Sequence, residues 1–137
     1  MNREQIRQAI VALVEARRAL WTGHPLTVEW EGRAVVDTQT HADPFLCVRV
    51  IYIDGEQVEL GTNPNHRVWG QVHLAAAVRD GWGVAQANTL LDFFTPALHM
   101  RTVGSLRLAG ARPTPKKPHL GWEYHPVLIP FSADTIP

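Results

Sequence analysis

Seven histidines and one cysteine are the residues with the most obvious chemical potential in this 137-residue chain. They are His24, His41, His66, His73, His99, His119 and His125, with Cys47. A zinc site built on a helix needs two histidines four residues apart on one face, and a thiolate site needs paired cysteines. Neither pattern occurs. His41 between Asp37 and Asp43 is a candidate loop site, and His73 with His125 is a candidate two-histidine pair across strands. The plainer expectation is a polar loop for the first and solvated or edge histidines for the second. Cys47 lies inside Phe45-Leu-Cys-Val-Arg-Val-Ile51, an apolar run that predicts a buried, unreactive thiol.

Nucleophilic catalysis requires a serine, threonine or cysteine activated by an adjacent base. Ser105 and Ser132 lack the glycine elbow that exposes such a serine. Glu29, Glu31, Asp37 and Asp43 carry no spacing that singles out an acid–base pair. Gly81-Trp-Gly83 before a predicted helix lacks the remaining glycines and the lysine of phosphate-binding loops, so it reads as a tight connection. No catalytic residue, metal ligand or cofactor-binding residue is assigned.

Two groups remain. Arg107, Arg112, Lys116 and Lys117, with His119, form the one basic cluster, interleaved with Pro113, Pro115 and Pro118. Such a segment is either a solvated loop or a contact for phosphates or an acidic protein surface. Five tryptophans is a high count, and Trp69 and Trp122, flanked by polar neighbours, are the candidates for a protein interface. The candidate interface set is therefore Trp69, Trp122, Arg107, Arg112, Lys116 and Lys117.

The elements that must position these residues follow from periodicity. Residues 2–20 predict a helix from Ile6, Ile10, Leu13, Val14 and Leu20, with Asn2 and Gln5 forming a capping box. Residues 26–30 predict a short strand, with Ala34–Val36 a weak hairpin return. Phe45–Ile53 predicts the strongest strand, ending in an Asp54-Gly55 hairpin turn with its return at 57–60. Residues 61–65 predict a loop and 67–78 a long strand, with Val68, Val72, Leu74, Ala76 and Val78 on one face. A second helix is predicted over 84–98, then strands at 103–108 and 122–131 separated by a loop at 109–118. Pro126 and Pro130 place the last strand at an edge. The sum is one α+β domain over 1–137, a mostly antiparallel mixed sheet with two helices on one face.

Lys plus Arg and Asp plus Glu are 13 each, so the formal charge is zero. A neutral chain has no overall field to attract nucleic acid, and it lacks the self-repulsion that keeps copies apart. No secretion signal and no run long enough to span a membrane is read, which predicts a cytoplasmic protein.

Taken in order, the pieces Trp21-Thr-Gly-His-Pro25, Val28-Glu-Trp-Glu31, Phe45-Leu-Cys-Val-Arg-Val50, Leu60-Gly61, Arg67-Val-Trp-Gly-Gln71, Asp80-Gly-Trp-Gly83 with Leu90-Leu-Asp-Phe-Phe94, and Gly121–Phe131 resemble the tail-terminator (minor tail protein) family of lambda-type long-tailed phages and prophages. The resemblance spans residues 3–131. It implies a structural subunit, not an enzyme, without cofactor. It implies a ring, expected to hold six copies, that caps the tail tube, ends tube growth and offers the head-joining surface. The implied partners are other copies of the chain, the tail tube protein and a head-completion protein, with no membrane and with DNA only in transit through the channel. The implied location is the host cytoplasm during assembly and then the virion tail. The alternatives are another head–tail connector or tail-tube-like virion protein, or a small α+β ligand-binding domain or enzyme.

Overall fold

The computed structural model describes residues 1–30, 37, 39, 41, 43–57, 66–81 and 84–135, and for 54–57 the backbone alone. Helix α1 spans Arg3–Arg18 and buries Ile6, Ile10 and Val14, one face at four-residue spacing. Its capping box forms as predicted. The Asn2 side chain accepts from the Gln5 amide, and the Gln5 side chain accepts from the Asn2 amide, both at 2.8 Å. The helix stops two residues short of the prediction, and Leu20 is 62% exposed. The amides of Leu20 and Trp21 wind tighter, onto the carbonyls of Arg17 and Arg18, which turns Leu20 off the buried stripe.

The strands are β1 (Val28–Trp30), β2 (Phe45–Gln57), β3 (His66–Arg79), β4 (Thr102–Val103), β5 (Leu106–Leu108), β6 (Arg112–Pro113), β7 (Lys117–His119) and β8 (Trp122–Thr135), with helix α2 (Val84–Leu98) after β3. They form one sheet in the order β1-β2-β3-β8-β5-β4, with β6 and β7 also paired to β8. Among the described residues only β1 and β2 pair in parallel. The fold is α+β with a mixed, mostly antiparallel sheet.

Five expectations change. Asp54-Gly55 is not a hairpin turn: β2 runs on to Gln57, and Asp54 and Gly55 pair with Trp69 and Val68 across a register shift at Ile53. An early turn would leave the start of β3 unpaired on that side, whereas a bulge keeps the ladder going. Residue 57 therefore belongs to β2, and the rest of the expected return and the 61–65 loop lie outside the described residues. The expected Ala34–Val36 return lies outside them too, and β1 pairs with β2 in parallel.

The predicted 103–108 strand is a tight hairpin of β4 and β5, turned at Gly104, whose φ is +58°. The predicted loop at 109–118 holds β6 and the first residues of β7, laid against β8.

The edge placement of 122–131 is also corrected. β8 is an inner strand, paired along its length to β3 and on its other side to β5, β6 and β7. The prolines are tolerated because of which way they face. The Pro126 and Pro130 carbonyls accept from the amides of Thr114 (3.1 Å) and Ala109 (2.8 Å). In an antiparallel strand a residue's N–H and C=O point to the same neighbour. Both missing donors therefore face the interrupted side, between short strands, and the ladder to β3 loses nothing.

Both helices cover one face. Ile6, Ile10 and Val14 from α1 and Ala87, Leu90, Phe94 and Leu98 from α2 share a core with Val48, Leu74, Val127 and Ile129. Tyr52 fastens α1 to the sheet, its hydroxyl donating to the Arg3 carbonyl at 3.0 Å. Gly70 on β3 admits no side chain: a Cβ there would lie 2.4 Å from the Ile51 carbonyl and 2.5 Å from the Phe131 ring. No helix among the described residues is long and apolar enough to cross a membrane.

Candidate protein interface on the open face of the sheet

Side chains alternate along a strand, so the sheet has a second face away from the helices. Its rungs follow from the pairing register. Phe45, Ala77, Tyr124 and Lys117 form one rung; Arg49, His73, Leu128 and Arg112 form a second. Ile51, Gln71 and Pro130 form a third, and Trp69, Ser132 and Arg107 a fourth.

One end of this face is closed. Phe45, Ala77 and Trp122 make a small separate core, with Cys47 and Tyr124 packed on it. Phe45 and Trp122 meet edge to face at 5.0 Å, and His41 packs on both. The Arg79 guanidinium lies 4.9 Å over the Trp122 ring and donates to the His41 carbonyl. Trp122 is 0% exposed. Its assignment as an interface residue is therefore corrected: it is a core residue, and its polar neighbours Gly121 and Glu123 only reflect strand alternation at a turn.

The rest of the face carries half-exposed Ile51, Gln71, His73, Pro126, Leu128, Pro130 and Trp69, with exposed Arg49 on β2. Arg107, Arg112 and Lys117 are exposed and face Ser132, Leu128 and Tyr124, successive positions four residues apart on β8. At ~3.3 Å per residue they form a row ~26 Å long. Among the described residues none of the three has an ion-pair partner. Lys116 is set apart from them by its ion pair with Glu123 at 3.4 Å.

Trp69 and Arg107, 38 positions apart in the sequence, come together across Ser132 and line a cleft of about 400 Å³ with Met100, Leu108 and Pro130. Sequence reading overlooked Met100 and Leu128. Met100, at φ +54°, sits in the left-handed region just past α2 and is largely exposed. A methionine offers no sequence signal of that conformation, which usually falls to glycine.

The chemical candidates separate. His73 is on the open face, its Nε2 3.2 Å from the Gln71 side-chain oxygen, whereas His125 is on the helix-facing side near Glu123. The proposed two-histidine pair does not form. Among the described residues no three of His, Cys, Asp and Glu gather closely enough to hold a metal ion, so the His41, Asp37 and Asp43 candidate does not assemble. Burial first, and then the charges of Arg49 and Lys117, hold the His73 pKa below its usual value. Burial, reinforced by Glu29 and opposed by Arg49, pushes the Cys47 thiol up to about 12. Ser105 donates to the Asp134 carbonyl at 3.0 Å and Ser132 faces Trp69; neither stands beside a histidine.

A second cleft, of about 470 Å³, lies between α2 and the segment after α1. Its polar groups already tie the chain to itself: the Trp21 indole donates to the His24 carbonyl at 2.8 Å, and the His24 Nε2 lies 2.9 Å from the Pro44 carbonyl. Gly81, at φ +86°, begins the turn before α2; Trp82 and Gly83 lie outside the described residues.

No protein-family model matches the sequence. No curated protein matches it either. A solved structure whose name states no function matches over 100% of this chain and 99% of that one, at 14% identity and a TM-score of 0.71. At that identity the likeness concerns the fold, and the α+β arrangement extends over the full length of both chains.

Proposed function

We propose that the chain is a structural subunit of a phage-type tail, forming a ring of six copies that caps the tail tube, ends its growth and offers the surface that joins the head. The observation that carries this reading is the open face. Among the described residues no layer covers the sheet face away from the helices beyond the Phe45–Trp122 cluster; it mixes Ile51, Pro126, Leu128 and Pro130 with Arg49, Gln71 and His73, and carries exposed Arg107, Arg112 and Lys117 along one border. A surface that mixes half-exposed apolar side chains with polar and cationic ones suits contact with other proteins.

The ordered sequence resemblance to tail terminators supports the same role. So does the zero net charge, which lets identical copies approach without repulsion. In a closed ring each copy meets its neighbours through two different surfaces. Among the described strands the sheet order ends in unlike strands, β1 at one side and β4 at the other.

The role is tested by polymerising the tail tube protein with and without the chain and imaging the tubes. The expected result is tubes of limited length with a disc at one end, and overlong tubes without it. Tubes that grow unchanged and bind no chain at their ends would refute the assignment.

A further inference from the structure

The corner where β3, β5 and β8 meet the segment just past α2 holds two adjoining recesses. The larger, of about 400 Å³, has Trp69, Met100, Leu108, Pro130 and Phe131 among its walls. The smaller, of about 120 Å³, is polar, with Arg67, Ser105 and Asp134 in its lining. Trp69, Arg107 and Ser132 belong to both, so Arg107 stands at the boundary between an apolar hollow and a polar one.

The walls of the hollow are fixed by backbone bonds between three segments. The Met100 amide donates to the Ala109 carbonyl at 3.1 Å, the Leu108 amide to the Arg101 carbonyl at 2.7 Å and the Ala109 amide to the Pro130 carbonyl at 2.8 Å. Met100 is held at φ +54°, an angle that usually falls to glycine, with its side chain 67% exposed. Walls already in place need little ordering when a partner enters. Tryptophan, methionine and arginine are enriched where proteins meet.

The charges of the polar recess do not cancel. Asp134 is the one carboxylate in its lining, and Arg67 engages it at 3.0 Å. Arg107 has no ion-pair partner among the described residues. Two guanidiniums against one carboxylate leave positive charge beside the apolar hollow. The surplus continues along the border. Arg112 and Lys117, also exposed and without ion pairs among the described residues, follow Arg107 at ~13 Å and ~26 Å along β8. Residues 93–122, which supply this border, contain five cations and no acid.

We infer that this corner docks an extended segment of another protein, one that sets an apolar side chain in the hollow, a carboxylate on Arg107 and further acids along Arg112 and Lys117. Each part of the partner answers a feature of the surface. The apolar walls call for an apolar body, and the guanidinium at the boundary calls for an anion next to it. The row of cations calls for charge spread over ~26 Å, the reach of about eight residues of extended chain. A nucleic-acid backbone would meet the cations but has no apolar group for the hollow. The inference goes beyond the ring reading and does not depend on it.

The test selects binders from a library of random twelve-residue peptides on immobilised full-length protein at 0.1 M salt, in parallel on wild type, Arg107→Glu and Met100→Glu. Wild type should enrich peptides that carry an aromatic or branched aliphatic residue within two positions of an aspartate or glutamate. A selected peptide should shift the Trp69 indole signal by NMR. It should bind wild type more weakly at 1 M salt, where the screening length falls to ~3 Å. It should bind Arg107→Glu at least ~10-fold more weakly, since a charge-assisted bond is lost and like charges face each other. Met100→Glu should weaken it as well.

A selection that returns no peptide, or only peptides without an acid, overturns the partner chemistry. Equal affinity for wild type and Arg107→Glu overturns the site. A 30-base-pair DNA duplex that displaces the selected peptides, and that Met100→Glu binds as wild type does, overturns the protein partner in favour of a polyanion. Thermal unfolding of each variant checks its fold, and glutamine at the same position replaces a glutamate that unfolds the chain, with the same loss of binding as its readout. The ring reading is tested separately, by the capping of tubes.

Discussion

Truncating Trp122 to alanine removes the largest of the fully buried side chains. A buried tryptophan covers ~150–250 Å², and at ~25 cal/mol per Å² this corresponds to ~4–6 kcal/mol, an upper bound. Measured Trp-to-Ala costs in cores are ~3–5 kcal/mol. The neighbours have little room to fill the void: Phe45 is itself 1% exposed, and Arg79 is held by its bonds to the His41 carbonyl. A loss of ~4 kcal/mol is therefore expected. With ~2.1 cal/mol/K of unfolding entropy per residue over the chain, this corresponds to a fall of ~14 °C in Tm. The assay is thermal unfolding followed by circular dichroism at low micromolar concentration. Trp69→Ala is the contrast, since Trp69 is half-exposed on the open face. It should lower Tm by less than ~4 °C and weaken self-association instead. A Trp122→Ala protein that melts within 3 °C of wild type, or that loses association while keeping its Tm, would refute the placement of Trp122 in a core.

Other perturbations follow from single contacts. Gly70→Ala should cost ~1–3 kcal/mol in denaturant unfolding, because the added methyl meets a backbone carbonyl as well as a ring. Leu120 sits at φ +50° in the β7–β8 turn and is 75% exposed, so Leu120→Gly should stabilise by up to ~1 kcal/mol; no gain would mean that the leucine bears no strain there. His73 should titrate below 6.5 by NMR, and Lys117→Gln should move its midpoint upward. Because its folded pKa is depressed, the unfolded chain binds the proton more readily. Stability linked to His73 is then present above pH 6.5 and is lost as pH falls through the folded pKa, a dependence that His73→Gln should remove. A midpoint at or above 6.5 would contradict its burial beside Arg49 and Lys117. Cys47 should alkylate far more slowly in the native protein at pH 8 than in urea, since the thiolate is disfavoured up to about pH 12. Equal rates would contradict its burial.

How much of this was legible in the sequence depended on whether a residue's environment was local. Helix α2 and the capping box of α1 were readable because periodicity and caps are written within a few residues. The inner face of β3 was readable from strict alternation. The position of β8 was not, because Pro126 and Pro130 signal an edge unless it is known which neighbour their nitrogens face. Asp54-Gly55 carries a strong short turn signal, yet the demand for partners along β3 turned it into a bulge. Trp122 illustrates the limit for the candidate interface. Polar neighbours suggested exposure, and only the fold brought Phe45, His41 and Arg79 over it. Arg107, Arg112 and Lys117 were visible as a cluster. That they align on one face, while Lys116 turns to Glu123, is a consequence of register that no spacing in the segment encodes.

The central claim is that the chain assembles into a closed ring. The most direct measurement is molar mass by light scattering over a wide concentration range, with negative-stain images of the same samples. The account predicts a species of six times 15.3 kDa, about 92 kDa, seen as uniform rings with a central channel. A mass of 15.3 kDa at every concentration, with no rings in the images, would contradict it.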